Sequence, residues 1–188
     1  MATAARAPGY DDLCRAREDG NRYELIDGEL LVIAGPSPRH QWTSSRLFVA
    51  FDRAIVEPGL GFVFTAPLDV HLGGQQYAQP DLLVVLTERA SIIGPTLIDG
   101  APDLVVEISS TSSRAIDRTR KLALYARPGV REYWLVDLGG RAVTVHALPT
   151  GEGYARVEQR AEAEARSTIL PGLVVQVATL FSGLPPLG

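Results

Sequence analysis

Lysine is nearly absent from this chain: of its 18 basic residues all but Lys121 are arginine. Cysteine is as scarce, and a single thiol, Cys14, excludes an intrachain disulfide. That fits a reducing compartment, so the sequence predicts a cytoplasmic protein, with Cys14 as a packing residue. No apolar run approaches the roughly 20 residues of a membrane span, and the first ten residues lack the apolar core of a signal peptide, so no membrane role is expected. An excess of positive charge is missing too. The net charge is −4 and the pI about 5.4, which argues against a protein that coats nucleic acid, though not against an enzyme that touches a short stretch through a local patch. His40, His71 and His146 have no mutual ligand spacing, which argues against zinc. There is no Gly-x-Ser-x-Gly elbow, phosphate loop or dinucleotide turn, so serine hydrolysis, a Rossmann fold and an organic cofactor all lack support.

What is present is an ordinary globular composition, 46% hydrophobic and 21% charged over 188 residues, read as one domain over residues 1–188 with a loose tail at 182–188. Pro8 to Asp19 predicts a short helix. Tyr23 to Ile26, Asp27-Gly28 and Glu29 to Ile33 predict a hairpin, the Asp-Gly pair supplying the positive φ angles of a two-residue turn. From Arg39 to Glu57, Trp42, Leu47, Phe48, Phe51 and Ile55 recur at helical spacing, and Pro58-Gly59 stops the helix. Short strands are expected at Gly61 to Ala66 and Leu68 to Leu72. Leu82 to Leu86 and Leu104 to Ile108 are continuous aliphatic runs, which places both in the sheet centre, buried on two faces. Hydroxyl-rich Ser109 to Ser113 caps a helix from Arg114 to Ala126. Strands follow at Glu132 to Asp137, Ala142 to Ala147 and near Tyr154 to Glu158, then an apolar segment at Leu173 to Phe181, expected to be a core helix. The fold class is α/β, a mixed α+β arrangement with a central mixed sheet flanked by helices.

Asp81 opens one central strand and Glu107 nearly closes the other. Ionised carboxylates in apolar strands are costly unless paired or bound to metal, and two on neighbouring strands suit a hard dication, Mg²⁺ or Mn²⁺. Each could instead face water at a strand edge or pair with an arginine. Glu24 in the first hairpin is a third acid able to complete a metal shell. Lys121, in the helix after Glu107, adds an amine, and arginine does not replace such an amine freely, because its charge is delocalised and it is essentially never deprotonated. Asp117 lies four residues before Lys121, on the same helix face, a spacing that equally serves an ordinary helix ion pair. Arg114, Arg118, Arg120, Arg127 and Arg131 make the same segment basic: a nucleic-acid contact, or a solvated helix face.

Tyr23-Glu24-Leu25-Ile26-Asp27-Gly28-Glu29-Leu30, Pro80-Asp81-Leu82-Leu83-Val84-Val85, Pro102-Asp103-Leu104-Val105-Val106-Glu107-Ile108-Ser109-Ser110, the segment Asp117 to Lys121, and Gly129-Val130-Arg131-Glu132-Tyr133-Trp134-Leu135-Val136-Asp137 together resemble the Uma-type restriction endonuclease family. The resemblance covers residues 22–146. It implies a restriction-endonuclease-like fold of the PD-(D/E)XK superfamily, with an added N-terminal hairpin and C-terminal strands. It also implies a Mg²⁺- or Mn²⁺-dependent endonuclease acting on DNA, working as a homodimer where two strands are cut. Asp81 and Glu107 would hold the metal with the Ile108 carbonyl as a further ligand, and Glu24 would orient water or metal. The superfamily places lysine two residues after the second acid. Here Ser109 stands there, and Lys121 would supply the amine from the next helix. Arg114, Arg118 and Arg120 would hold flanking phosphates, with Asp117 and Ser109 in support. The alternative is a catalytically inactive binding or scaffold module on the same fold.

Overall fold

A computed structural model describes residues 6–109, 114–160 and 163–186, with side chains left out over 114–119. Helix α1 (Tyr10–Ala16) runs into a 3₁₀ turn that Gly20 ends with φ 86°. The hairpin of β1 (Arg22–Ile26) and β2 (Glu29–Ile33) turns at Asp27 and Gly28, with φ of 52° and 76°, the left-handed pair such a turn requires. Helix α2 (Pro38–Phe51) starts on Ser37, whose Oγ accepts from the His40 N–H, and continues as a π turn through Asp52–Val56. Strands β3 (Gly61–Thr65), β4 (Val70–His71), β5 (Tyr77–Ala78), β6 (Leu82–Leu86), β7 (Ile98–Asp99) and β8 (Leu104–Ser109) precede helix α3 (Arg114–Ala126). Then come β9 (Glu132–Asp137), β10 (Ala142–Pro149), β11 (Tyr154–Arg160), β12 (Glu164–Arg166), β13 (Val174–Gln176) and α4 (Val177–Phe181).

The main sheet has six strands in the order β11-β10-β9-β8-β6-β3, and only the β8–β9 pair is parallel. β6 and β8 are buried at every position, as their aliphatic runs predict. Alternation of side chains across a strand sends Leu82, Val84, Leu104 and Val106 to one core, shared with α2, α4 and Trp134. Leu83, Val85 and Val105 go to a second core, shared with α3 and a five-stranded sheet of order β2-β1-β5-β4-β7. The fold is therefore mixed α+β, with the main sheet covered on both faces.

Several expectations need correction. On α2 the buried stripe is Thr43, Leu47 and Phe51, continued by Ile55, while Trp42 and Phe48 are exposed. Trp42 Nε1 donates to the Ser182 carbonyl and Arg39 Nε to that of Pro185, within the segment expected to be a loose tail. Cys14 is exposed, and its neighbour Leu13 does the packing. The strand expected over Leu68 to Leu72 contracts to two residues, and β5, β7 and β12 have no apolar run to announce them. Leu173 to Phe181 is core, but it opens as the strand Val174–Gln176 before the helix, and Leu173 and Val175 are as buried as Leu180. The expected cap residues Ser110 to Ser113 lie outside the described residues.

Candidate active site

The antiparallel β6–β8 register pairs Leu82 with Val106 and Leu83 with Val105. Carried back one residue, it sets Asp81 across from Glu107, so the topology alone brings the two acids to one end of the central strands. Asp81 Oδ2 accepts the Ile108 N–H at 2.8 Å and lies 3.0 Å from His40 Nε2. Glu107 Oε1 accepts from Lys121 Nζ at 2.8 Å and from the Tyr125 hydroxyl at 2.5 Å. Lys121 Nζ also reaches Glu24 Oε1 at 3.2 Å, and that oxygen accepts the Gln79 N–H at 2.9 Å. Lys121 is 3% exposed and Glu24 1%. The sole lysine thus ties the first hairpin to the end of β8.

Each geometry has a local cause. Lys121 and Tyr125 are four apart on α3, so both point at the same carboxylate. Burial, and then the charges of Glu107 and Glu24, push the Tyr125 hydroxyl well above its ordinary range, so it stays protonated and can only donate to Glu107. Behind Glu24, Gln79 Nε2 bonds Asp69 Oδ1, and Asp69 takes a two-pronged contact from Arg17 at 2.7 and 2.8 Å. Burial raises the Asp69 carboxyl, but Arg17, Gln79 and Tyr10 outweigh it and hold it below the ordinary range. This chain of bonds runs from α1 to the site and holds Glu24 in place.

Glu24 and Glu107 share the Lys121 ammonium, and the strand register sets the third buried carboxylate, Asp81, across from Glu107. Glu24 Oε2 is buried with no hydrogen-bond partner, a cost of about 1–3 kcal/mol that an ion or water would relieve. Hard oxygen donors of this kind fit Mg²⁺ or Mn²⁺. Among the described residues, no three His, Cys, Asp or Glu side chains group closely enough to form a cage. Mg²⁺ seldom uses one; it is commonly held by one or two carboxylates with water and substrate phosphate completing the shell. Asp81 and Glu107 are the two carboxylates that could hold an ion in that manner.

Ser109, where the superfamily pattern expects lysine, is buried, with its Oγ 3.4 Å from the Val136 carbonyl. Arg120 is exposed and pairs with Glu29 at 2.8 Å, Arg127 lies 3.5 Å from Asp27, and Arg131 lies 3.3 Å from Asp103. These cations of the basic segment are thus already matched by acids. The side chains of Arg114, Asp117 and Arg118 lie outside the described residues. Sequence reasoning missed His40, Gln79 and Tyr125. The spacing of Tyr125 from Lys121 could have revealed it, whereas nothing local links His40 to Asp81.

A family-level match covers residues 7–178, to Uma2, described as "Putative restriction endonuclease". Two uncharacterized proteins of Synechocystis sp. are similar in sequence. One, sll1609, is 25% identical over 139 residues, 73% of this chain and 78% of that protein. The other, slr1290, is 31% identical over 118 residues, 62% of this chain and 60% of that protein. Among solved structures, the crystal structure of a "putative nuclease belonging to DUF820" from Anabaena variabilis superposes with a TM-score of 0.78 at 20% identity, over 95% of this chain and 99% of that one. At that identity the likeness establishes the shared fold. Among the described residues, no helix is long and apolar enough to cross a membrane.

Proposed function

The chain belongs to the Uma2 family, and from that premise we propose that it is a metal-dependent endonuclease hydrolysing phosphodiester bonds of DNA. The observation that carries this reading is the position of Lys121 Nζ, buried at the end of β8 between Glu107 and Glu24. A buried ammonium is costly, and a chain otherwise restricted to arginine keeps its one lysine there.

Asp81 and Glu107, with the Ile108 carbonyl, are the groups to hold Mg²⁺ or Mn²⁺. When bound there, such an ion supplies Lewis acidity and charge neutralisation at the phosphoryl group. The Ile108 N–H and His40 fix Asp81 Oδ2, so the carboxylate is held before substrate arrives. Tyr125 and Lys121 fix Glu107 in the same way. Lys121 donates toward the negative charge that builds on the phosphoryl oxygens, the role in which a preorganised donor contributes most. Glu24 shares the ammonium and orients water. Arg114, Arg118 and Arg120, the last by exchanging its exposed Glu29 pair, contact flanking phosphates, which position the strand without reading its sequence. One such site cuts one strand, so double-strand scission calls for two copies of the chain.

Incubation of supercoiled plasmid with Mg²⁺ or Mn²⁺ tests the proposal, with Asp81→Ala beside wild type and Mn²⁺ binding followed by calorimetry. Nicking and Mn²⁺ uptake by wild type alone are the expected results. A folded wild type that neither binds Mn²⁺ nor cuts DNA or RNA would refute it. The second reading, a non-catalytic binding module, is favoured by the net charge of −4 and by the closed Glu24–Lys121–Glu107 network, and it predicts that outcome.

A further inference from the structure

An open groove of about 540 Å³ lies between α2 and the Ala66–Pro67 turn, and Asp81 is the sole acid lining it among the described residues. This is the size of a small-ligand site. Gln41, Ser45 and Phe48 of α2 line it together with Arg22 and His40. His40 belongs to the groove and to the acid site at once, because its Nε2 lies 3.0 Å from Asp81 Oδ2. Phe48 is 36% exposed, and Trp42 and Val49 of the same helix are exposed too, unlike the fully buried Leu47 and Phe51. An aromatic ring left out of the core beside polar side chains is a surface on which a nucleobase can stack.

We propose that this groove seats an unpaired nucleotide adjoining the scissile phosphate, its base against Phe48 and its polar edge met by Gln41 and Ser45. The inference rests on the nuclease reading and narrows it, assigning the site to single-stranded or locally unpaired DNA. Three observations select this occupant. Asp81 lines the groove, so a nucleotide held in it can place its phosphate beside the acid that would hold the metal. Arg22, at the start of β1, adds a cation to the lining, where Asp81 is the one carboxylate among the described residues. A base can lie against Phe48 only once it has left its duplex stack, because a stacked base has both faces covered.

Binding measured apart from cleavage separates this inference from the nuclease reading. The probe is a short fluorescent single-stranded DNA oligonucleotide, followed by anisotropy with Ca²⁺ in place of Mg²⁺, beside its own duplex. Wild type should bind the single strand more tightly than the duplex. Phe48→Ala should weaken single-strand binding roughly five- to 100-fold, the effect of losing one stacked base. Gln41→Ala, at an exposed position on the same wall, should weaken it less and serves as the second variant, with thermal midpoints confirming that both fold. Equal binding by wild type and both variants, or duplex bound as tightly as single strand, would overturn the inference. If wild type binds single strands through Phe48 yet never cuts, the groove stands and the nuclease reading fails. If wild type cuts and Phe48→Ala leaves KM unchanged, the nuclease stands and the groove assignment fails.

Discussion

The two ends of β8 carry buried acids that are handled in opposite ways. At its start Asp103, fully buried, accepts from the Leu86 N–H at 2.9 Å and from Arg89 and Arg131 at 3.0 and 3.3 Å. Both arginines are partly exposed, at 34% and 44%, so their guanidinium groups keep much of their hydration while gripping the strand. At its far end Glu107 meets Lys121, which is as buried as the acid itself, and Tyr125, which burial keeps protonated. Asp103 is satisfied by backbone and by surface cations, and that end needs nothing else to be stable. The Glu107 end bears the full cost of desolvating an ammonium and still leaves Glu24 Oε2 without a hydrogen-bond partner among the described residues. The proposed catalytic role of the Glu107 end would account for an arrangement that costs stability where a cheaper one stands four residues away.

The comparison can be broken most severely at its costly end. Lys121→Ala leaves Glu24 and Glu107 buried without their described ammonium, and a loss of about 3–5 kcal/mol is expected in urea denaturation. A loss below 1 kcal/mol would mean that the carboxylates take up protons or water at little cost. At the other end Asp103→Ala removes three hydrogen bonds to a charged group, for an expected loss of about 3 kcal/mol. DNA cleavage per folded molecule should persist in that variant, and its disappearance would erase the functional contrast between the two ends. Tyr125→Phe removes one bond to Glu107 and should cost about 1.5–3 kcal/mol by thermal denaturation, with a loss of cleavage that Asp103→Ala does not share.

The smallest expected effect lies away from both ends. Burial lowers the pKa of His146 below its ordinary 6.5, and its ring stacks on Tyr133. The unfolded chain therefore binds a proton that the folded ring refuses, so stability falls as pH drops from 6.5 toward the lowered folded value. His146→Phe keeps the stacking and should flatten the urea midpoint across that window, while the acid-dependent loss tied to Asp69, whose carboxyl sits below its ordinary range, remains at lower pH. An unchanged slope in His146→Phe would assign the dependence to other groups.

How much of this was legible in the sequence follows from the range of the forces involved. Pure aliphatic runs at Leu82 to Leu86 and Leu104 to Ile108 leave one arrangement open, a central pair buried on both faces. Asp81 and Glu107 come with that pair, so they could be read together. Lys121 was legible through rarity and helical phase. His40 was not, because its contact with Asp81 joins the first turn of α2 to a strand 41 residues away, and packing rather than pattern makes that contact. Two-residue strands such as β5 and β7 are fixed by their partners and carry no periodicity of their own. Trp42 and Phe48 misled for a related reason: the same helical spacing serves a core face and an exposed aromatic one.

On the proposed reading, the amine of Lys121 serves chemistry and the arginines of Asp103 serve structure. Supercoiled plasmid with Mg²⁺, incubated side by side with wild type, Lys121→Arg and Arg131→Lys, tests it most directly. Wild type and Arg131→Lys should nick at similar rates. Lys121→Arg should be slower by roughly 100- to 1,000-fold, the cost of one lost transition-state donor, with its fold confirmed by circular dichroism. Folded Lys121→Arg that nicks as fast as wild type would contradict the account.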